Sequence, residues 1–283
     1  MMNITQILCP VDFSITSMRA LARALVIAGR YRAHVTALHV RPDGNAVTPI
    51  ERRRQEDELA RSIAAAPEGA VTTLFETGQP VTSIVERAAG LGADLIVIGS
   101  HGSTGFERLL LGSVTDEVLR KAGCPVLVVP PGATATSLVP FKQLLCPVDF
   151  SPASRRALAL ACSMAQEAGS TLTLLHVIDL PPENDLITSG PFAYPECRDQ
   201  RERDAHIALN GLIPHDFGMA CPPATVVTVG KPHREILRIA AERSVDLIVS
   251  GAHGRHTLDL LIFGSTTNQV IRRATCPVLS VRR

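Results

Sequence analysis

Lysine is nearly missing from this sequence. Among 283 residues it occurs only at Lys121, Lys142 and Lys231, and the single Gly-Lys pair, Gly230-Lys231, is followed by Pro232 instead of Ser or Thr. A P-loop needs its lysine on the nucleotide phosphates and its hydroxyl on magnesium, so Walker-type ATPase chemistry is excluded. Cysteine motifs are missing as well. The seven cysteines are odd in number and form no Cys-x-x-Cys pair, and Cys9, Cys124, Cys146 and Cys276 sit in or beside apolar runs. That pattern reads as buried reduced thiols, not as a disulfide or zinc framework. Net charge is absent too: 28 basic against 27 acidic side chains leave +1 and a pI near 7.7. No overall field draws such a chain onto nucleic acid or an acidic membrane. No window approaches the roughly 20 apolar residues of a bilayer span, and no leader pattern opens the sequence. The expectation is a cytoplasmic protein with neither a membrane nor a nucleic acid as partner.

What the sequence does have is an internal duplication. Ile-Leu-Cys-Pro-Val-Asp-Phe-Ser at 7–14 returns as Leu-Leu-Cys-Pro-Val-Asp-Phe-Ser at 144–151. Asp-Leu-Ile-Val-Ile-Gly-Ser-His-Gly at 94–102 returns as Asp-Leu-Ile-Val-Ser-Gly-Ala-His-Gly at 246–254, and Cys-Pro-Val-Leu at 124–127 returns at 276–279. The second copy is longer between Val177 and Gly230, and the proline-bearing stretch from Asp179 to about Arg203 reads as an enlarged loop. These landmarks divide the chain into a first domain at 1–132, a linker at 133–142 and a second domain at 143–283.

Within each copy, short apolar runs alternate with longer segments of helical period, the signature of βα units on a parallel sheet. In the first copy strands are expected at Gln6–Val11, Val35–Val40, Val71–Phe75, Leu95–Gly99 and Val126–Val129. Ser14 is placed to cap a first helix that buries Leu21, Leu25 and Ala28. A third helix is expected from Pro80 and a fourth from Gly112-Ser113 to about Ala122. The fold class that follows is α/β: two tandem, doubly wound, five-stranded parallel-sheet domains.

Ligands of such sheets bind beyond the carboxyl ends of the strands, where neighbouring connections diverge to opposite faces. Asp12 falls there, directly after the first strand, where a carboxylate can accept hydrogen bonds from ribose hydroxyls. So does the loop after the fourth strand, in which Gly99 and Gly102 are followed nine residues later by Gly112-Ser113 at a helix start. Glycines permit close backbone approach, and helix N-termini offer unpaired N–H groups to phosphate. The second copy repeats the set with Asp149, Gly251, Gly254, Gly264 and Ser265.

With Leu-His-Val (38–40 and 175–177), Leu-Leu-Leu-Gly-Ser-Val (109–114) and Cys-Pro-Val-Leu-Val-Val (124–129) added to these motifs, the chain resembles the universal stress protein family in its tandem form. The resemblance covers nearly everything but the linker and 179–203. It implies a Rossmann-like, adenine-nucleotide alpha-hydrolase-like fold with ATP or ADP in both crevices, with Mg2+ as an accompaniment that the sequence leaves open. Asp12 would then hold ribose, Val11 and Val40 would flank adenine, and Gly99, Gly102, Gly112 and Ser113 would hold phosphates. The second set would be Asp149, Val148, Val177, Gly251, Gly254, Gly264 and Ser265. In the connecting loop Gly105 and Arg108 keep the ATP-binding pattern, whereas the second copy has Thr257 and Leu260 there. Arg255, which replaces Ser103, supplies a guanidinium for phosphate in their stead. The resemblance also implies that the two last strands pair with each other, making the chain an internal pseudo-dimer. Association of two chains and an unidentified protein partner are left open.

Histidines 39, 101, 176 and 253 recur at matching places, but without His-x3-His or a carboxylate partner they read as packing groups, and no metal site is expected. The Glu51–Glu58 charge run reads as a solvated helix face. No nucleophile–base pair is evident, so no catalytic residue is assigned and any hydrolysis should be slow. The leading reading is a nucleotide-responsive stress protein. Two others stay open: a genuine ATPase or nucleotidyl-transfer enzyme, and an interaction protein whose pockets are empty or take a lipid or metabolite.

Overall fold

The computed structural model describes residues 4–44, 48–101, 111–132, 141–179, 195–213, 222–252 and 264–282. The first half runs β1 (Gln6–Pro10), α1 (Ile15–Tyr31), β2 (His34–Arg41), α2 (Pro49–Ile63), β3 (Val71–Thr77), α3 (Pro80–Gly90), β4 (Leu95–Gly99), α4 (Ser113–Lys121) and β5 (Val126–Val129). The second half repeats the order as β6 (Gln143–Pro147), α5 (Pro152–Ala168), β7 (Thr171–Ile178), α6 (Pro195–Asn210), β8 (Ala224–Val229), α7 (Pro232–Glu242), β9 (Leu247–Gly251), α8 (Ser265–Arg273) and β10 (Val278–Val281).

The two halves share one ten-stranded sheet in the order β3-β2-β1-β4-β5-β10-β9-β6-β7-β8. Pairing is parallel within each half and antiparallel at the seam, where Val278, Leu279 and Ser280 of β10 register with Val128, Leu127 and Val126 of β5. The two last strands therefore cover each other's edges, which removes an apolar aggregation hazard. Strand side chains alternate between two buried layers. Ile7, Cys9, Val97 and Leu127 face α1, α2, α5 and α6, whereas Leu8, Ile96, Ile98 and Val128 face α3, α4, α7 and α8. Both faces are covered, as the near-continuous apolar strands require.

The repeated aspartate that opens Asp-Leu-Ile-Val is a fastener of the first strand. Asp94 Oδ2 accepts from the Thr5 and Gln6 amides at 2.7 and 3.0 Å, and Asp246 does the same for Lys142 and Gln143 at 2.6 and 3.0 Å. Burial of Asp94 works against ionisation, but the bonds from Thr5 and Gln6 outweigh it and hold its carboxyl below the usual range. Ser14 caps α1 by accepting from the Ser17 amide, and Ser151 caps α5 through Ser154 in the same way. The buried stripe of α1 is Ser17, Ala20, Leu21, Ala24 and Ala28. Leu25, expected in that stripe, is only half-buried and turns toward the seam, because i, i+3, i+4 and i+7 positions already fill the sheet-facing side.

One expectation is corrected. Residues 179–203 are not all loop, since α6 begins at Pro195 and buries Leu209 completely against the sheet. The extra length of the second copy is divided between two connections. The chain runs from Ile178 to Pro195 ahead of α6 and from Asn210 to Ala224 after it, against Arg41 to Pro49 and Ile63 to Val71 in the first copy. A helix of weak amphipathic pattern, PECRDQRERDAHIALN, hides from a reading based on apolar period.

At the seam, a cavity of about 510 Å³ lies between α1 and α5 over a floor of Leu95, Leu127, Leu247 and Leu279. Arg30 of α1 donates to the Glu167 carbonyl of α5, and Tyr31 Oη bonds Glu167 Oε2 at 3.1 Å. Burial, then the neighbouring Glu167 carboxylate, pushes the Tyr31 hydroxyl up to about 12.

Candidate functional site: two crevices at the strand ends

In each half the first and fourth strands lie side by side and send their helices to opposite faces, α1 with one layer and α4 with the other. A crevice opens where they part. In the first half it is a cavity of about 330 Å³, and Val11, Asp12, Val40, Gly99, Gly112 and Ser113 all line it. In the second half it is about 520 Å³, lined among others by Val148, Asp149, Val177, Gly251, Gly264 and Ser265. Gly102, Gly254, Arg255 and His253 lie outside the described residues.

The turn after the first strand is built from local chemistry. The Val11 amide still bonds the Leu38 carbonyl at 2.8 Å, so the ladder runs one residue past β1. The chain then reverses through Phe13 in the left-handed region, φ 63°, matched by Phe150 at φ 65°. A non-glycine residue seldom adopts that backbone, and here the surroundings enforce it. The Phe13 ring packs on His39 with centroids 4.9 Å apart, and Phe150 on His176 at 4.7 Å. His39 Nδ1 lies 2.8 Å from the Val11 carbonyl and His176 Nδ1 2.7 Å from that of Val148. A carbonyl only accepts, so both Nδ1 atoms carry the proton. The histidine of Leu-His-Val thus fastens the turn, in line with the packing role expected for it.

Asp12 is partly engaged within that turn. Its Oδ1 accepts from the Ser14 amide at 3.1 Å and the Ser14 hydroxyl at 2.6 Å, and its own amide donates to Ser17 Oγ. Asp149 Oδ1 accepts from the Ser151 amide at 3.0 Å. Both carboxylates are half-buried and line their crevices, held in one orientation by helix-start donors.

Gly99 and Gly251 have a packing reason to be glycine that is independent of any ligand. A Cβ on Gly99 would lie 2.9 Å from the Thr16 carbonyl carbon, and one on Gly251 2.8 Å from that of Ala153. The backbone of the first helix rests directly on the end of the fourth strand. The start of α4 is brought to the same point, since the Gly112 amide donates to the Ser100 carbonyl at 2.8 Å and Thr115 Oγ1 donates to the Gly99 carbonyl at 2.8 Å. Gly264 with Ala252 and Thr267 with Gly251 repeat both distances. A hydroxyl two residues after Gly-Ser recurs in both copies, as Thr115 and Thr267, and is a readable signal of this contact.

The starts of α4 and α8 are chemically bare. Neither Gly112 nor Gly264 provides a side-chain cap, whereas α1, α2 and α5 are capped by Ser14, Thr48 and Ser151. The helices α3 and α7 also lack one but begin with a proline, which removes one donor from the set. Among the described residues, therefore, no side-chain cap meets the first-turn N–H groups of α4 and α8, which lie beside the crevices at the positive end of the helix dipole. Beside the first of them, His101 bonds Ser100 Oγ through Nδ1 at 2.8 Å, while its Nε2 is buried without a partner. Burial lowers the pKa of this imidazole. Apolar lining comes from Val11, Leu38, Val40 and Ile84 in one half and from Val148, Leu175, Val177 and Ile236 in the other. Ile84 and Ile236, contributed by α3 and α7, are lining residues that motif reading missed. Among the described residues no cluster of three metal-ligating side chains occurs, and no helix is long and apolar enough to cross a membrane.

Comparison with known proteins completes the description. The family model described as "Universal stress protein family" matches residues 3–130 and 140–282. A universal stress protein of Mycobacterium tuberculosis is 30% identical over 249 residues, covering 81% of this chain and 78% of that protein. One of Mycolicibacterium smegmatis is 28% identical over 98% of this chain and 96% of its own. Among solved structures, a putative universal stress protein from Pseudomonas aeruginosa aligns over 99% of this chain and 93% of its own, with TM-score 0.70 and 20% identity. A universal stress protein from Archaeoglobus fulgidus aligns over 98% and 96%, with TM-score 0.66 and 24% identity. At such identities these structures bear on the fold.

Proposed function

This chain belongs to the universal stress protein family, and from that premise we propose that it is a cytoplasmic nucleotide-binding stress regulator, with an adenine nucleotide in the first crevice and a nucleotide held by the same frame in the second. The observation that carries this reading is the uncapped start of α4 and of α8, each beside a crevice that also has an apolar lining. A ligand that satisfies both features has a flat, weakly polar ring and an anionic tail. Val11 and Val40 would sandwich the ring, Asp12 would accept from ribose hydroxyls, and the amides after Gly112 with the Ser113 hydroxyl would receive phosphate oxygens. The orphaned Nε2 of His101 is a further polar group that such a ligand satisfies. Val148, Val177, Asp149, Gly264 and Ser265 repeat the frame. Magnesium would be held through the phosphates, since few protein ligands are needed.

The reading is one of binding more than turnover. His39 and His176 are committed through Nδ1 to backbone carbonyls, and no described lining residue pairs a nucleophile with a base. Responsiveness has a physical route. Asn268 of α8 donates to Asp116 Oδ1 of α4 at 2.9 Å, so the two phosphate-receiving helices touch across the seam. A ligand that favours one arrangement of them shifts the population of the whole molecule.

The test is the small-molecule content of protein denatured directly after purification, followed by thermal unfolding with and without added ATP. Released adenine nucleotide and a raised transition support the proposal. No released nucleotide together with no shift at millimolar ATP overturns it.

A further inference from the structure

The two crevices are built on one frame yet differ at the end that would receive the base. The following inference rests on the nucleotide reading above. In the second crevice Ser265 and Thr266 bring hydroxyls to the start of α8, and the apolar residues Val148, Val177 and Ile236 also line the cavity. A ring with an anionic tail enters such a site in one direction, tail toward the helix start.

Close to Val40, which the reading above gives to the ring, Pro42 lines the first crevice one residue past β2, and Gln79 is the residue before Pro80. Neither offers charge to a base. Their counterparts in the second copy are Asp179, one residue past β7, and Lys231, the residue before Pro232. Asp179 lines the cavity together with Val177, and at spacing two both residues belong to the same side of an extended chain. Lys231 Nζ stands 3.2 Å from Asp179 Oδ1, with side chains 48% and 56% exposed. An exposed pair of this kind contributes little to stability. The surroundings are cationic: His233 is kept toward its neutral form by burial and by Arg273, Arg234 and Lys231, with only Asp179 opposing.

The edge of a purine decides what such a pair selects. Guanine presents an acceptor, O6, beside two donors, N1–H and the 2-amino group. Adenine presents one donor, the 6-amino group, beside one acceptor, N1, and nothing at position 2. A carboxylate with two acceptor oxygens flanked by an ammonium donor meets all three groups of guanine and two of adenine. The second cavity is also the roomier, about 520 against 330 Å³.

We propose that the second crevice selects guanine nucleotides, with Asp179 accepting from N1–H and the 2-amino group and Lys231 donating to O6. The experiment uses the full chain freed of bound nucleotide and carrying Ser113→Glu, which weakens phosphate binding in the first crevice. Fluorescent derivatives of GTP and ATP are titrated by anisotropy. GTP should bind roughly tenfold to a hundredfold more tightly, the range a bidentate base contact supplies. Asp179→Asn should erase that preference and favour xanthosine triphosphate, whose O2 replaces the 2-amino group. Asp179→Pro, the residue of the first copy, should bring GTP and ATP level. Adding Ser265→Glu should abolish binding, which places the signal in this crevice. Equal affinity for GTP and ATP, or a preference unmoved by Asp179→Asn, overturns the inference and leaves the nucleotide reading standing. Binding of neither nucleotide overturns both.

Discussion

Ser113→Glu separates a ligand-holding role for the start of α4 from a merely structural one. Ser113 is exposed and is the first residue of a helix whose preceding Gly112 gives no side-chain cap. A glutamate there faces the positive end of the dipole and should leave the fold unharmed or add about 0.3–1 kcal/mol. Toward a nucleotide its effect is opposite. Two unit charges about 4 Å apart repel by about 4 kcal/mol at an effective dielectric near 20. The site is open to water on one side, and discounting by about half for screening leaves about 2 kcal/mol, or roughly thirtyfold in affinity. Ser265→Glu repeats the perturbation at α8, where Ser265 is likewise exposed after the uncapped Gly264.

Calorimetric titration of the nucleotide-free chain provides the measurement. Each single variant should weaken one of two binding events by at least that factor, and the double variant should lose both, with the unfolding temperature equal to or above that of the parent. Undiminished binding in Ser113→Glu and Ser265→Glu would show that phosphates do not sit at these helix starts. Loss of binding accompanied by a lowered unfolding temperature would show that the serines serve the fold.

Two further outcomes follow from the packing. Gly99→Ala pushes a methyl to within 2.9 Å of the α1 backbone, so it should cost about 1–3 kcal/mol in urea unfolding whether or not nucleotide is present; an unchanged midpoint would refute the close-approach explanation. Burial drives the Cys9 and Cys146 thiols far above their ordinary range, and holds Cys124 and Cys162 near 11 and Cys276 near 12. Because the thiolate is the reactive form, native protein treated with iodoacetamide at pH 8 should stay unmodified at these five residues and label fully once unfolded, and peptide mass spectrometry showing native labelling at Cys9 or Cys146 would contradict the burial.

How far the sequence reached depends on the kind of signal each element carried. The strands Leu95–Gly99 and Val126–Val129 were read to the residue because their apolar runs end at glycine or proline. Ser14 was legible as a cap because hydroxyl capping is local. The α6 helix was not, because its charged sequence shows almost no apolar period and is held through a few residues such as Leu209. In the site, Asp12 and the glycines announced themselves by repetition. The second function of Gly99, as a seat for the backbone of α1, is a tertiary contact with no trace in local sequence. The same holds for Phe13, whose left-handed backbone depends on a histidine 26 positions away in the chain. Ile84 and Ile236 read as ordinary helix-face residues until α3 and α7 are placed against the sheet.

The seam shows why this molecule is better served by two unequal copies than by two identical ones. Asp116 and Asn268 occupy matching positions in α4 and α8, four residues before Arg120 and Arg272. They meet across the pseudo-twofold axis, where Asn268 Nδ2 donates to Asp116 Oδ1, Arg120 pairs with Asp116 Oδ2 at 2.8 Å and Arg272 donates to Asn268 Oδ1 at 2.5 Å. Two copies that both carried the aspartate would set carboxylate against carboxylate. Asn268→Asp restores that clash. At a separation near 4 Å the repulsion is about 4 kcal/mol before the two arginines and solvent reduce it, so the variant should lose about 1–2 kcal/mol at pH 7. The sign with pH is fixed by linkage. Like charges raise the folded-state pKa of one carboxyl above its unfolded value, so the folded form binds the extra proton and the deficit shrinks as pH falls through that raised pKa. Urea midpoints at pH 7 and pH 4 measure it: the variant should trail the parent at pH 7 and approach it at pH 4. Equal midpoints at pH 7 would mean that the Asp116–Asn268 contact does not hold the two halves in register.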